Sequence, residues 1–191
     1  MPLNLHTVSA REILDILNSP FMEISYSQEG EDRVLQRIFD GKSVGLYVDV
    51  GAHHPFRFSN TFAFYMKGWS GVNIDATPGS MALFRKHRPR DINLEHLVGD
   101  GDEPLSFTIF DEPALNSAEV GRDAALSDRY TVIERVSIAP RRLDNILDEW
   151  LPPARPSTSS PSMPREAIWP CSAPMISPDT GPGSSSPRTE A

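Results

Sequence analysis

The residues whose types and spacing could do chemistry begin with the run Asp49-Val50-Gly51-Ala52 and continue at Asp75, 24 positions beyond Gly51. Gly51 lets the backbone turn and approach a ligand with no Cβ in the way. A carboxylate at the next strand end accepts hydrogen bonds from both ribose hydroxyls of a nucleoside. Asp100, behind a third strand, is a polar group that could meet an adenine amino group. The positions after Gly51 are Ala52, His53, His54 and Pro55, so the two further glycines of a pyrophosphate cradle are missing. A nucleoside without phosphates, such as S-adenosylmethionine, fits this pattern better than a dinucleotide. Read without a ligand, Asp49 and Asp75 cap strand ends. His53 and His54 are adjacent and point in different directions, and no carboxylate at helical spacing completes a ligand set, so no metal site is assigned. His53 is the candidate base for a substrate hydroxyl, or a polar group at the pocket mouth.

These residues need an open parallel sheet to gather them, and the chain reads as one. Ser9 and Glu12 have capping-box spacing ahead of Ile13, Leu14, Ile16 and Leu17, and Asn18, Ser19 and Pro20 end that helix. Ser27 caps a second helix with Val34, Leu35, Ile38 and Phe39 on one face. Leu46 to Val50 reads as a buried parallel strand, Asn60 to Met66 as a helix closed by Gly68, and Gly71 to Asp75 as a strand. Gly79 to His87 reads as a helix and Asn93 to Val98 as a third strand. Leu105 to Phe110 and Tyr130 to Ile138 alternate as antiparallel strands, residues 111–129 are loop-like and expected to help shape the pocket of the substrate, and Arg142 to Trp150 is a last amphipathic helix. The order strand, helix, strand, helix, strand predicts a doubly wound α/β sheet, with ligands outside the carboxyl ends of the strands. Trp69 with Phe62, Phe64 and Tyr65 is read as core packing.

Four linked motifs carry a resemblance. Ser27-Gln28-Glu29-Gly30-Glu31-Asp32, Tyr47 through Pro55, Ser59-Asn60-Thr61, and Gly68-Trp69-Ser70-Gly71-Val72-Asn73-Ile74-Asp75 are similar, in order and spacing, to the FkbM-type family of S-adenosylmethionine-dependent methyltransferases. The similarity covers about Ser25 to Trp150, including Arg142 to Leu147. One departure is Ala76-Thr77-Pro78 after Asp75, where an extra proline is commoner than alanine. The resemblance implies a Rossmann-like fold, with Asp49, Gly51 and Ala52 at the methionine side of the cofactor and Asp75 at its ribose. Asn60 and Gln28 are carried over near the pocket by their motifs alone. The implied activity is methyl transfer to a hydroxyl of a sugar or small metabolite, that acceptor being the one partner expected. The alternatives are a non-catalytic nucleoside-binding or interaction module, and a dinucleotide-dependent oxidoreductase, which the missing glycines disfavour.

Composition bounds the reading. The chain has 191 residues and a net charge of -8, which argues against a nucleic-acid binder. No stretch approaches a membrane span, and Arg11, Glu12 and Asp15 stand where a signal-peptide core would be, so a cytoplasmic protein is expected. A single cysteine, Cys171, excludes an internal disulfide. Ten of the eighteen prolines fall after Leu151, interleaved with serines. Such a composition cannot bury enough apolar surface to offset chain entropy, so residues 152–191 are expected to be disordered. The expected organisation is a helical extension over 1–24, a partial methyltransferase domain over 25–151 with an incomplete sheet, and this tail.

The genetic code bears on the tail. If the intended frame takes the third base of each present codon and the first two of the next, Ser157 to Glu166 permit Ile-Asp-Phe-Leu-Ser-Ile-Asp-Ala-Glu-Gly, where the family pattern has a buried strand of the type Phe-Leu-Ser-Ile-Asp-x-Glu-Gly. Met163 before Pro164 forces Ala, Trp169 before Pro170 forces Ala, and Met175 before Ile176 forces Asp. Asp179 to Ser186 permit Tyr-Arg-Pro-Arg-Val-Leu-Leu. The tail is therefore expected to be a frameshifted reading of a methyltransferase's second half, and the polypeptide as written to be poorly stable and inactive. The alternative is an ordinary Pro/Ser tail.

Overall fold

The computed structural model describes residues 9–126 and 128–151, so the tail expected over 152–191 lies outside the described residues. The architecture is mixed α/β, with one parallel and one antiparallel sheet and a short two-strand parallel pair. Helix α1 (Ala10–Leu17) starts on the Ser9 capping box, with reciprocal bonds between Ser9 and Glu12. Its apolar side stays at the surface, with Leu14, Ile16 and Leu17 all exposed. Helix α2 (Glu31–Ile38) is entered through Gly30, whose φ of 90° is left-handed. Ser27 is therefore not its N-cap, although its Oγ accepts from the Asp32 amide at 3.2 Å. The buried Asp32 carboxylate in turn accepts from Ser25 Oγ, the Tyr26 amide and Ser27 Oγ, which folds the Ser25–Asp32 motif into a compact turn.

The parallel sheet has the order β1 (Leu46–Val50), β2 (Ser70–Asp75), β3 (Ile92–Glu95), with β2 in the centre. Helix α3 (Phe62–Met66) links β1 to β2, and α4 (Met81–His87) links β2 to β3. Alternation along the strands divides the core between two faces. Val48, Val72, Ile74 and Leu94 pack with Ile146 of the last helix, α6 (Leu143–Trp150). Tyr47 faces the other way and packs with Phe64, Tyr65 and Trp69, against Leu35 and Phe39 of α2. The aromatic residues around Trp69 are core, as their sequence context predicts.

The third strand ends earlier than its apolar run. After Glu95 the chain bends at His96, whose amide donates to the Asp75 carbonyl at 3.0 Å, and β4 (Leu97–Val98) pairs with Pro140 and Arg141 rather than with β2. Three further strands complete the set: β5 (Leu105–Phe110) pairs antiparallel with β6 (Val132–Ile138), and β4 pairs parallel with β7 (Pro140–Arg141). The stretch 111–129, loop-like by sequence, contains a 3-10 turn at Pro113–Leu115 and helix α5 (Arg122–Leu126). No helix among the described residues is long and apolar enough to cross a membrane.

Gly71 shows how closely the face beneath Tyr47 is packed. A Cβ there would lie 2.1 Å from the Tyr47 ring and 2.2 Å from its carbonyl oxygen. Overpacking of this kind costs about 1–3 kcal/mol. Gly71→Ala is expected to lower the unfolding free energy by that amount, read as a lower urea midpoint with an unchanged m-value; an unaltered midpoint would contradict the packing described.

Candidate functional site

A cavity of about 650 Å³ opens at the carboxyl ends of β1, β2 and β3. Its floor is made by Gly51, Asp75 and Ala76, with His53 and Asn60 beside them and Leu97 and Val98 at the far end. Gly51 takes a φ of 73°, and space is open where a Cβ would stand, so a ligand can reach the backbone there. The amides of Gly51 and Ala52 both bond to the Ile74 carbonyl, which ties the turn after β1 to β2.

Asp75 holds this turn. Its Oδ2 accepts from the His53 amide and its Oδ1 from the Thr77 amide, both at 2.8 Å. Each oxygen keeps a second lone pair, so the carboxylate can still receive two hydroxyls from the cavity. Asn60, only 6% exposed, lines the cavity and forms no side-chain hydrogen bond among the described residues. Its amide is open to the cavity, where a polar ligand can bond to it. Gln28 also lines the cavity, because the Ser59 amide donates to the Tyr26 carbonyl and so brings the Ser25–Asp32 turn beside Asn60.

The remaining expected residues separate. Asp49 is buried behind the floor, with Oδ2 accepting from Thr61 Oγ1 at 2.7 Å, and burial pushes its carboxyl up to about 6. Ala52 points away and packs against Met81 and Phe84 of α4. Asp100 is not brought to the cavity; it is 88% exposed and pairs with Arg142 at 3.0 Å. The bend at His96 redirects the chain, and the Gly99 amide bonds to the Arg141 carbonyl, so the segment leaves the sheet before Asp100.

The two histidines have different tasks. His54 Nδ1 accepts from the amides of Phe56 and Arg57, closing the turn after β1. His53 sits at the cavity wall in a left-handed conformation, φ 54°, with its ring stacked on Phe58, itself at φ 56°. Left-handed backbone at a bulky residue is uncommon and clusters at functional sites. Burial and the neighbouring Arg57 hold the His53 imidazole below its ordinary range, hence neutral near pH 7.

The second wall comes from the 111–129 stretch, within which sequence reasoning named no residue. Glu112, Ala114, Leu115, Asn116 and Ser117 face the sheet ends across the cavity. Two links fasten them. Arg57 forms a double hydrogen bond with Glu112, at 2.8 and 2.9 Å, which holds the Glu112 carboxyl at about 2. Asn116 Nδ2 donates to Thr77 Oγ1 at 3.0 Å. Glu112 falls 55 positions after Arg57 and Asn116 falls 39 after Thr77, and no periodicity joins them. The lowered Glu112 value means that this pair stabilises the fold above the ordinary carboxylate range near 4.5 and that the contribution is lost as pH falls through about 2.

Beneath the floor lies a buried polar hub that sequence reasoning also missed. Arg88, fully buried, donates from Nε to Asp91 at 2.8 Å, from Nη2 to Tyr47 Oη and Thr61 Oγ1, and from Nη1 to Ser59 Oγ. Asp91 also accepts from the Tyr47 hydroxyl, the Gly71 amide and Asn73 Nδ2. Nothing in the sequence singles Arg88 out, and only its partners reveal its role.

Comparison with known proteins adds one match. The family model described as the methyltransferase FkbM domain matches residues 49–151, from the carboxylate at the end of β1 to the end of α6. No curated protein and no solved structure matches the chain.

Proposed function

The chain belongs to the FkbM methyltransferase family, and on that premise we propose that it is a Rossmann-like enzyme of the S-adenosylmethionine-dependent kind, methylating a hydroxyl of a sugar or small metabolite. The cofactor, when bound, supplies an electrophilic methyl group on a sulfonium. The observation that carries the reading is the cavity floor, where an open glycine turn, the cavity-lining amide of Asn60 and the Asp75 carboxylate converge at two adjacent strand ends. These residues fit a nucleoside amino acid. Asp75 offers its remaining lone pairs to ribose hydroxyls, Gly51 admits the ligand to the backbone, and Asn60 gives a donor and an acceptor. Asp49 supplies negative charge on the methionine side. His53, held neutral, is the group to take the acceptor's proton as the oxygen forms its bond to the methyl carbon.

The test is binding of S-adenosylhomocysteine, the demethylated product, by isothermal calorimetry. Binding by the wild-type chain supports the reading, and none overturns it. Asp75→Asn replaces a charged acceptor, which is worth about 1.5–3 kcal/mol, so affinity is expected to fall about ten- to a hundredfold.

Asp49 gives a pH signature. Because burial raises it from 3.8 to about 6, its contribution to stability is full below the unfolded value and is lost as pH rises through about 6. A ligand ammonium nearby favours the carboxylate and lowers that value. Binding at pH 6 is therefore expected to release about half a proton, read as a difference in calorimetric heat between buffers of unlike ionisation enthalpy, and at pH 8 to release none from Asp49.

A further inference from the structure

The Thr61 hydroxyl bridges the buried arginine hub and Asp49 through two hydrogen bonds. Its oxygen accepts from Arg88 Nη2 at 2.9 Å, and its proton goes to Asp49 Oδ2 at 2.7 Å. Thr61 is 2% exposed and does not line the cavity. A hydroxyl has one proton, so a lone pair committed to Arg88 leaves the proton directed at the carboxylate. Asp49 Oδ1 forms no hydrogen bond among the described residues, so Thr61 is the one side chain that fixes the plane of this carboxylate. Arg88 itself is anchored from other sides by Asp91, Tyr47 and Ser59, and the Ser59 hydroxyl accepts from the amides of Thr61 and Phe62, which holds the start of α3 in place. The geometry is a relay from the end of α4, through α3, to the end of β1.

We propose that Thr61 is a positioning residue: oriented by Arg88, it locks the Asp49 carboxylate so that its negative charge is held in one orientation behind the cavity floor, on the side that takes the cationic amino group of the cofactor. This rests on the cofactor reading given above. The hydroxyl's dipole, aligned by the guanidinium, favours the ionised carboxyl against the burial and the charges of Asp75 and Asp91 that oppose it. Without it the carboxylate is free to turn and takes up a proton at higher pH. The groups that face Asp49 are Thr61 and Arg88, which lower its proton affinity, and Asp75 and Asp91, which raise it.

The experiment titrates S-adenosylhomocysteine into the full chain at pH 5 to 8 for wild type, Thr61→Val and Thr61→Ser, and follows the Asp49 side-chain carboxyl by carbon NMR. Thr61→Val is expected to weaken binding about tenfold at pH 7, in line with one charge-assisted hydrogen bond. It is also expected to move the carboxyl titration, and the pH at which binding falls, upward together. Thr61→Ser, which keeps the hydroxyl, is expected to restore both. Equal affinity and an equal titration in Thr61→Val and wild type overturn the relay while leaving the cofactor reading intact. A loss in Thr61→Val that serine fails to restore also overturns it, since the methyl group rather than the hydroxyl is then responsible. Absence of binding by wild type removes both readings, and the NMR titration still reports whether Thr61 governs Asp49.

Discussion

Replacing Arg88 by methionine is expected to cost about 3–5 kcal/mol of stability, the usual result of removing one partner from a buried ion pair. Both side chains of the Arg88–Asp91 pair are wholly buried, and methionine fills most of the volume while leaving the Asp91 carboxylate with no cation. The Tyr47 hydroxyl, the Gly71 amide and Asn73 Nδ2 would still donate to that carboxylate, but none carries charge. Domains of this size have about 5–15 kcal/mol in total, so the variant should sit near its unfolding threshold. The double variant Arg88→Met with Asp91→Leu is expected to recover part of the loss, because a buried pair replaced by apolar groups is often neutral. Urea unfolding of the wild type, both single variants and the double variant gives the coupling directly. Additive losses would mean that the two residues act separately, against the geometry. The hub explains why Tyr47 and Gly71 occur together. With no Cβ at Gly71, the Tyr47 ring lies over β2 and its hydroxyl reaches Asp91 and Arg88 at 2.8 Å.

The elements that position the site were legible where burial enforces a period or a run. Leu46 to Val50 and Gly71 to Asp75 are apolar enough to be strands wherever they sit, and both form β1 and β2 with at most one residue's difference. The glycine turn with a carboxylate 24 positions later pointed to Gly51, Asp75 and His53, and the motif resemblance alone to Asn60; all four line one cavity. Asp100 failed for a local reason: a strand read through to Val98 ignores the change of partner at His96, where hydrogen bonding to Asp75 stops and pairing with Pro140 begins. The residues of the second wall were out of reach, although their segment was expected near the pocket, because Arg57 to Glu112 and Thr77 to Asn116 are tertiary contacts between irregular segments. Arg88 illustrates the same limit in the core. Arginine is rarely buried unless paired, so composition assigns it to the surface, and only the convergence of Tyr47, Ser59, Thr61 and Asp91 overrides that expectation.

A one-base insertion in the gene between codons 151 and 156 is expected to turn the chain into a more stable protein with a cofactor-dependent melt. The reasoning joins the sheet to the genetic code. Among the described residues β1 pairs with β2 alone, although Tyr47, Val48 and Asp49 are all buried, as in an interior strand. Doubly wound sheets of the 3-2-1-4 order set a further strand beside the first. The alternative frame of codons 157–166 permits Phe-Leu-Ser-Ile-Asp, an apolar run of strand length ending in a carboxylate, as Gly71 to Asp75 does. Burying its three large apolar side chains contributes about 1.5–3 kcal/mol each before entropy is subtracted. The restored chain is therefore expected to melt several degrees higher in differential scanning fluorimetry and to shift further upward with S-adenosylhomocysteine, since a ligand that binds only the folded state stabilises it by mass action. An identical melt for the two chains, with an identical response to ligand, would show that the alternative frame encodes no part of this fold. Resequencing the gene separates the two origins of such a frame: a missing base in the genome makes the tail a product of mutation, whereas an intact genomic frame makes it an error of reading.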